Sequence, residues 1–292
     1  MEQDNDTLKD IESDSKFVFK LIKDILIFLI TLIPYLLMGI IHGILLNKED
    51  SINYFKKVFV FPFEILNNLS TWFFQAKYTA FTTLFLILTF VLQIIFLNPN
   101  EQLLQYFMTH SISVTSILFY TNLTSIFLHG SITHLLSNLL ALTIFGRIVE
   151  SNFKEKMIYI FLAAGFIANI ISNTISLFSG DMFYSLGASG AIAGLIIMAI
   201  LLKPFQFSNL LIIPLPIFLI GWFLIFLDIS GLSNPNQTNN LAHIGGYLSL
   251  IILMFTLEIK NRNKIYIGLA INVMLLIILY ILNTYFDLLN LI

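Results

Sequence analysis

The sequence predicts an all-α protein that crosses a membrane several times. Hydrophobic residues make up 58% of the 292 residues and charged residues only 11%, and the mean hydropathy is +0.89. A soluble protein of this length could not bury so much apolar surface. Lipid offers the backbone no hydrogen-bond partners, so each apolar stretch is expected to form a helix that satisfies its own backbone.

Apolar stretches of bilayer length recur along the chain and predict about eight transmembrane helices. The predicted helices are residues 25–46, 79–97, 135–149, 157–177, 189–202, 210–227, 241–257 and 265–282. The stretch 58–74 is also apolar, but it contains Pro62, Glu64, Asn67 and Asn68. We interpret it as an interfacial or re-entrant helix.

The positions of lysine and arginine predict the orientation of the helices from residue 79 onward. The loops 98–130, 178–188 and 230–240 contain neither residue. The alternate loops and their adjoining helix ends carry Arg147, Lys154, Lys156, Lys203, Lys260, Arg262 and Lys264. The uncharged loops are therefore expected on the outer side of the membrane, which we take to be the cell membrane.

The N-terminal residues 1–24 are polar and of mixed charge. They lack the apolar core and cleavage site of a signal peptide, and we expect a solvated tail. A single span at 25–46 would place the tail's lysines outside, against the usual charge rule. Either the tail is an exception to this rule, or 58–74 is a ninth span.

The composition excludes several functional classes. The chain has no cysteine, which excludes disulfides, a thiol nucleophile and Cys-ligated metals. Its formal net charge of −2 argues against a nucleic-acid partner. No cofactor is implied.

Ser189 lies in Gly187-Ala188-Ser189-Gly190, at the start of a predicted helix. Glycine lets the backbone turn tightly and approach another chain closely. The helix start offers unpaired N–H groups and a positive dipole end, which can stabilise an oxyanion. The position therefore suits a nucleophile, although a lone serine in a membrane helix is usually an interhelical hydrogen-bonding residue.

His243 also begins a predicted helix after an outer loop, so it lies at a depth similar to that of Ser189. Both helices carry small residues at helical spacing, namely Gly190 with Gly194 and Ala242 with Gly246. Such faces let helices pack closely, and the imidazole could then act as general base toward the serine. A structural role is the alternative for a lone histidine. No Asp or Glu lies near enough in sequence to be an obvious third member, so a Ser–His dyad is predicted.

His134 and Asn138 are four residues apart and share one helix face. Both could donate hydrogen bonds toward one point at the outer end of the third span, with the Ser189 backbone N–H as a further donor. An oxyanion hole needs such donors. Helix packing is one alternative, and metal binding by His129 and His134 is another. No acidic residue accompanies these histidines and Asn is a poor ligand, so no metal site is predicted.

These residues belong to a longer ordered set. The set comprises Phe127-Leu128-His129-Gly130-Ser131, His134, Asn138, Phe145-Gly146, Glu150, Gly187-Ala188-Ser189-Gly190, Ala242-His243 and Gly246. In order, spacing and topology it resembles the rhomboid intramembrane serine proteases, over about residues 79–258. The resemblance implies a six-helix core whose catalytic cavity opens to the outer side, with one extra transmembrane helix before the core and one after it.

The resemblance also implies a role for each matching residue. Ser189 would be the nucleophile and His243 the base, with His134 and Asn138 as oxyanion donors. The supporting residues would be His129, Gly187 and Gly190. Glu150 would be a structural polar anchor near the inner end of its helix. The helix 210–227 and the loop 230–240 would gate the entry of substrate.

The sequence departs from the family pattern at three places. Tyr120-Thr121 stands where the family often has a Trp-Arg pair. Ala193 stands where the family often has an aromatic residue that packs on the histidine, and Leu250 interrupts a small-residue repeat. These changes leave the dyad intact. They predict a packing around His243 and a stability of the loop 98–128 that differ from the family pattern.

The predicted organisation is a polar tail (1–24), an extra transmembrane helix with an interfacial segment (25–78), a catalytic core (79–258) and a C-terminal transmembrane helix (259–292). The predicted function is hydrolysis of peptide bonds in or next to transmembrane segments of other membrane proteins, which would enter the site from the lipid bilayer. One alternative is a non-catalytic rhomboid relative that binds membrane clients. The other is a transporter, which would need charged groups or broken helices at the bilayer midplane.

Overall fold

The computed structural model describes residues 2–45, 47–208, 215–232, 240–256 and 262–286. The α-helices are α1 (Glu2–Ile44), α2 (Lys48–Gln75), α3 (Lys77–Leu92), α4 (Glu101–Gln105), α5 (Thr121–Thr124), α6 (Ile132–Ala141), α7 (Arg147–Phe153), α8 (Lys156–Ser179), α9 (Ser189–Leu202), α10 (Ile217–Gly231), α11 (Asn240–Thr256) and α12 (Arg262–Phe286). A π-helical segment, Gln93–Leu97, extends α3, and another, Leu142–Gly146, joins α6 to α7. Three 3-10 turns are Ser111–Val114, Ile117–Tyr120 and Ser125–Phe127.

The described residues contain two short antiparallel pairs of strands, and the first pair joins segments that are distant in sequence. In the first pair, β1 (Thr109–His110) aligns with β2 (Tyr184–Ser185). In the second pair, β3 (Phe207–Ser208) aligns with β4 (Leu215–Pro216). The chain divides into two compact units, of which the first contains α1 and α2 and the second contains Tyr78–Ser208 and the described residues from Leu215 onward.

In the first unit, α1 and α2 run antiparallel and pair along their length. Stacked rings mark the contact, because Phe17 lies 5.4 Å from Trp72 and Phe28 lies 5.9 Å from Phe61 between ring centroids. The helix α1 begins at Glu2, so the backbone of the segment 1–24 is helical from that residue onward. His42 packs against the Tyr54 ring, with the ring centroids 5.3 Å apart.

The apolar stretch 58–74 lies within α2. This helix has 28 residues and continues through Pro62 without a break. Its Ser51 hydroxyl donates a hydrogen bond of 2.8 Å to the carbonyl of Gly39 in α1, which fixes the register of the pair. The stretch is therefore part of one continuous helix and not a re-entrant turn.

The second unit is built around α9. This helix is apolar on every face, as expected of a helix that is buried on all sides. In the described part of the chain, the helices that contact it include α6, α7, α8, α10, α11 and α12. Small residues bring these helices close, since a Cβ at Gly165 of α8 would lie 2.9 Å from the Cβ of Ala191 and a Cβ at Gly245 of α11 would lie 2.9 Å from the Ala168 carbonyl oxygen.

Several helices suit a membrane by length and composition. Among the described residues, four segments could cross a bilayer: Lys20–His42, Lys77–Leu97, Ile132–Phe153 and Lys156–Ser179. The helices α9 and α10 are apolar but shorter. Large apolar side chains face outward along these helices, which is expected where the solvent is lipid. The architecture is thus a polytopic all-α membrane fold, as the sequence predicts.

Glu150 anchors the start of α3. Its carboxylate accepts hydrogen bonds from the backbone N–H groups of Tyr78 and Thr79, at 3.1 and 2.7 Å, and from the Thr79 hydroxyl at 2.7 Å. The first N–H groups of a helix have no partner within the helix, and a carboxylate satisfies them well. The expected structural role of Glu150 is therefore confirmed.

Polar side chains attach the segment between α3 and α6 to α8. The Asn173 amide donates to the Thr109 hydroxyl at 2.6 Å and to the Asn122 side-chain oxygen at 2.8 Å. The Asn169 amide donates to the Asn122 carbonyl at 2.8 Å and to the Ser125 hydroxyl at 3.1 Å. Each of these asparagines therefore holds the irregular segment in place.

Tyr120 and Thr121 contribute to the same segment, where the resemblance leads us to expect a Trp-Arg pair. The Tyr120 hydroxyl donates to the carbonyl of Tyr106 at 2.8 Å. The Thr121 hydroxyl is buried and donates to the Ser113 hydroxyl at 2.8 Å. Neutral hydrogen bonds hold the segment together at the positions where the family pattern is lost.

The last helix, α12, packs directly on α9. A Cβ at Gly268 would collide with the carbonyl group of Leu201, so the two backbones touch at this point. Next to this contact, the buried Asn272 amide donates to the carbonyl of Ile200 at 2.9 Å, and its oxygen accepts from the Trp222 indole of α10 at 2.9 Å. Asn272 thus links three helices, which the sequence analysis did not predict.

Candidate active site

A sharp turn brings the chain to Ser189 at the start of α9. The β1–β2 pair holds the segment just before the turn, with Ser185 opposite Thr109. The Gly187 N–H then donates to the Ser125 carbonyl at 2.9 Å, with a φ of +134°. L side chains rarely adopt this φ, so the turn needs glycine at position 187, as the sequence predicts.

The ring of His134 occupies the space that a side chain at Gly187 would fill. The position of a Cβ at Gly187 lies 2.7 Å from His134 Cε1, 2.9 Å from His134 Nε2 and 3.8 Å from Ser189 Oγ. His134 and Ser189 therefore face the same small volume. The Ser131 hydroxyl accepts a hydrogen bond of 3.1 Å from the His134 backbone N–H and so begins α6 at this place.

The helices α9 and α11 contact each other at Gly190 and Ala242, which are the neighbours of Ser189 and His243 in the sequence. A Cβ at Gly190 would lie 3.3 Å from the Ala242 carbonyl oxygen, and a Cβ at Gly246 would collide with the Gly190 carbonyl. The predicted close packing through small residues is confirmed. Ala242 directly precedes His243, so this contact places the backbone of His243 next to the start of α9, and His134 lies beside Ser189. We refer to Ser189, His134 and His243 as the cluster.

An acidic residue joins the cluster, which corrects the sequence analysis on this point. Asp228 of α10 places Oδ1 2.7 Å from His243 Nδ1. Its other oxygen, Oδ2, accepts a hydrogen bond of 2.6 Å from the Tyr247 hydroxyl. Asp228 is 15 residues from His243, so a search for acidic residues close to His243 in the sequence does not find it. An available signal was that Asp228 is the one charged residue within the apolar sequence of α10, and such residues mark candidate functional sites.

His129 lies behind His134 and is 1% exposed. Their ring centroids are 5.2 Å apart, and the ring of Phe90 lies edge-on to His129. The two ring nitrogens of His129 have no hydrogen-bond partner in the described parts of the chain. Burial, together with the nearby His134, lowers the pKa of His129 to about 4, so its ring is neutral at physiological pH.

Gln93 holds the backbone of His129 from both sides. Its side-chain amide donates to the His129 carbonyl at 2.9 Å, and its oxygen accepts from the His129 N–H at 2.9 Å. Gln93 is 2% exposed and lies in the π-helical extension of α3. This contact could not be predicted from the sequence, because the two residues are 36 positions apart in the chain.

Asn138 lies one turn after His134 on α6 and is buried. Its Nδ2 has no hydrogen-bond partner among the described residues. A buried amide without a partner is costly, and it is ready to donate to a ligand. Within the described ranges, no group of three or more His, Asp or Glu side chains could hold a metal ion.

The predicted gate falls only partly on described residues. The helix α10 covers Ile217–Gly231, whereas 209–214 and 233–239 lie outside the described residues. The indole of Trp222 ties the middle of α10 to Asn272 of α12, and Asp228 ties its end to α11. Gating by α10 stays a prediction.

Comparison with known proteins agrees with the motif pattern. A family model described as the rhomboid domain matches residues 118–259. The chain is similar to rhomboid-like protein 11, chloroplastic, of Arabidopsis thaliana, with 31% identity over 156 residues. The match covers 48% of this chain and 52% of that protein, so the chain spans about half the length of this relative.

The matched segment contains Ser189, His243, His134, Asn138 and Asp228, and it extends just past the end of α11. In the described residues, the helices α5 to α11 lie within this segment and α3 precedes it. The motif set, the order of these helices and the family model agree, and residues 118–259 of this polytopic membrane protein match the rhomboid domain.

Proposed function

We propose that the protein is a serine endopeptidase that hydrolyses peptide bonds in or next to transmembrane segments of other membrane proteins. One observation carries this proposal. Ser189 Oγ and His134 Nε2 lie 3.8 and 2.9 Å from the position that a Cβ at Gly187 would take, at the start of α9, where Gly190 packs on Ala242, the residue before His243. A nucleophile, a base and an oxyanion donor need such a cluster.

In the proposed reaction, Ser189 Oγ attacks the scissile carbonyl carbon while His243 accepts the hydroxyl proton. The negative charge that forms on the carbonyl oxygen would be stabilised by the Ser189 N–H, His134 and Asn138. His243 then gives its proton to the leaving amine, and water hydrolyses the acyl-enzyme by the reverse proton path. The unpartnered amide of Asn138 supports its part in this scheme.

The class of substrate follows from the membrane setting. A helix in lipid hydrogen-bonds its own backbone, so its carbonyl groups are accessible only after local unwinding. Substrates with Gly or Pro near the outer surface are therefore expected to be cleaved in preference to a stable poly-Leu helix. We propose that the protein acts in the cell membrane, on substrates that enter sideways from the lipid.

Labelling of the detergent-solubilised protein with a fluorophosphonate tests the proposal. The wild type is expected to be labelled, and Ser189→Ala and His243→Ala are expected to lose labelling. Ser70→Ala is a matched control, because Ser70 is an exposed serine of α2 whose hydroxyl donates to the carbonyl of Asn67 in the same helix. A folded wild type without labelling would argue against the protease and favour the non-catalytic client-binding relative.

The variant His134→Ala separates these two functions further. A protease loses turnover when one oxyanion donor is removed, by about 10²–10³. A client-binding protein would keep its association with a membrane client. Cleavage and co-purification of the same transmembrane client, compared between wild type and variant, distinguish the two.

A further inference from the structure

Asp228 is a carboxylate within an otherwise apolar membrane helix. It lies near the end of α10, and its side chain is 14% exposed. A carboxylate in such a place is costly unless hydrogen bonds satisfy its oxygens. The hydrogen-bond partners of the Asp228 carboxylate therefore indicate the role of this residue.

Both oxygens of Asp228 are satisfied by α11. His243 Nδ1 lies 2.7 Å from Oδ1, and the Tyr247 hydroxyl donates to Oδ2 at 2.6 Å. His243 and Tyr247 are four residues apart, so they share one face of α11 and hold the carboxylate between them. The arrangement fixes both the position and the direction of the carboxylate.

The contact sets the tautomer of the His243 ring. An ionised carboxylate can only accept hydrogen bonds, so Nδ1 carries the proton and donates it to Oδ1. The lone pair of the neutral ring is then on Nε2. This is the tautomer in which Nε2 can accept the proton of a serine hydroxyl.

We infer that Asp228 is a positioning residue of the active site and makes it a Ser189–His243–Asp228 triad, with Tyr247 as the anchor of the carboxylate. The inference rests on the proposed protease function. In the acylation step, the Ser189 proton moves to His243 Nε2 and Asp228 stays ionised beside the imidazolium. The proton then leaves with the amine, so no proton is transferred to Asp228.

A purely structural role would be a bridge between α10 and α11. The two roles predict different kinetics for Asp228→Asn, which keeps the size of the side chain but loses its charge. A positioning residue affects the chemical step, so the maximal rate of fluorophosphonate inactivation falls while the probe's binding constant stays the same. A structural bridge affects thermal stability, and the loss of labelling follows the loss of folded protein.

The experiment measures both inactivation constants and the thermal unfolding midpoint in detergent for four proteins. For Asp228→Asn, we expect the maximal inactivation rate to fall by about 10² or more, with binding of the probe unchanged. Tyr247→Phe removes only the anchor, and we expect a fall of about 3- to 10-fold. Ile229→Ala is the matched control, because this neighbouring side chain is 53% exposed and lies outside the triad, and it should match the wild type.

An unchanged inactivation rate in folded Asp228→Asn would overturn the inference and leave the proposed protease intact, provided that wild-type labelling depends on Ser189. If Asp228→Asn does not fold, Tyr247→Phe decides, and a wild-type rate in that variant would overturn the inference. Wild-type protein that shows no Ser189-dependent labelling would overturn the proposed function and this inference together.

Discussion

At the scale of single residues, Gly187 joins the turn before α9 to the cluster around Ser189. Its φ of +134° is unfavourable for any L side chain, and the ring of His134 fills the adjoining space. Gly180 also has a positive φ, of +78°, but no atom lies within 4 Å of the position its Cβ would take. A side chain at Gly180 would therefore add backbone strain alone, whereas a side chain at Gly187 would add backbone strain and also collide with His134, the candidate oxyanion donor.

We predict that Gly187→Ala lowers the labelling rate at least about tenfold, because it adds strain of about 1–3 kcal/mol and displaces His134. Gly180→Ala should lower the unfolding midpoint slightly and leave labelling unchanged. Labelling rates and thermal unfolding in detergent measure both effects. Equal labelling of the two variants would contradict a role for His134 beside Ser189.

His129 links stability to pH at the same scale. Burial lowers its pKa to about 4 from an ordinary value of 6.5, so the folded state binds the proton less well than the unfolded state does. The neutral ring therefore contributes about 3 kcal/mol to the free energy of unfolding. This contribution is fully present above pH 6.5 and is lost as the pH falls toward about 4. The folded state is therefore more stable when the His129 ring is neutral than when it is protonated.

We predict that His129→Phe, which keeps an aromatic ring without a titrating group, weakens this pH dependence. The free energy of unfolding in detergent is measured at neutral pH and at about pH 4. The wild type should lose more stability on acidification than the variant does. Parallel losses in the two proteins would show that other groups carry the acid sensitivity.

At the scale of elements, the contact between α9 and α11 determines which residues can stand near His243. Ala193 is 2% exposed, and its Cβ lies 2.7 Å from the position that a Cβ at Gly246 would take. The resemblance leads us to expect an aromatic residue at this position. The two helices are too close to admit one here, and Asp228 holds the imidazole from α10 instead.

We predict that Ala193→Tyr does not raise the labelling rate and destabilises the fold by about 1–3 kcal/mol, since a large side chain must separate the two helices. Ile197→Tyr is the matched control on the same helix, because Ile197 is only half-buried. Thermal unfolding and labelling are measured for both. A stable Ala193→Tyr variant that labels faster would show that the packing can open to receive the ring.

At the scale of the whole molecule, a basic residue at the end of α9 reaches α7 and lies away from Ser189. Lys203, just after α9, donates a hydrogen bond of 3.3 Å to the Ser151 hydroxyl of α7. Ser189 lies at the opposite end of α9. The charge rule puts the basic end inside and the end that carries Ser189 outside.

The absence of cysteine from the chain lets single introduced cysteines test this orientation. Phe178 is 87% exposed at the end of α8, and Glu155 is exposed just before the start of the same helix. We predict that a membrane-impermeant thiol reagent labels Phe178→Cys in intact cells, and labels Glu155→Cys only after the membrane is permeabilised. The reverse pattern would invert the predicted topology.

Much of the fold could be predicted from the sequence because the relevant properties are local. Apolar length and composition specify a membrane helix, so the prediction for 189–202 coincides with α9 and the prediction for 157–177 lies within α8. Small residues at helical spacing predicted the α9–α11 contact for the same reason. The candidate residues Ser189, His134, Asn138 and His243 were found from short sequence motifs, and all four lie within the segment that matches the rhomboid domain.

Tertiary structure alone decided the contacts that join distant segments. Gln93 holds His129 across 36 residues, Asn272 reaches Ile200 across 72, and Asp228 reaches His243 across 15. Hydrophobic patterning does not predict such pairs. Any polar residue in lipid needs a hydrogen-bond partner, but the packing of the helices determines which residue becomes that partner. The sequence by itself determined a rhomboid-type helical core with a candidate serine and histidine, and only the packing of α10 on α11 brought the carboxylate of Asp228 to that histidine.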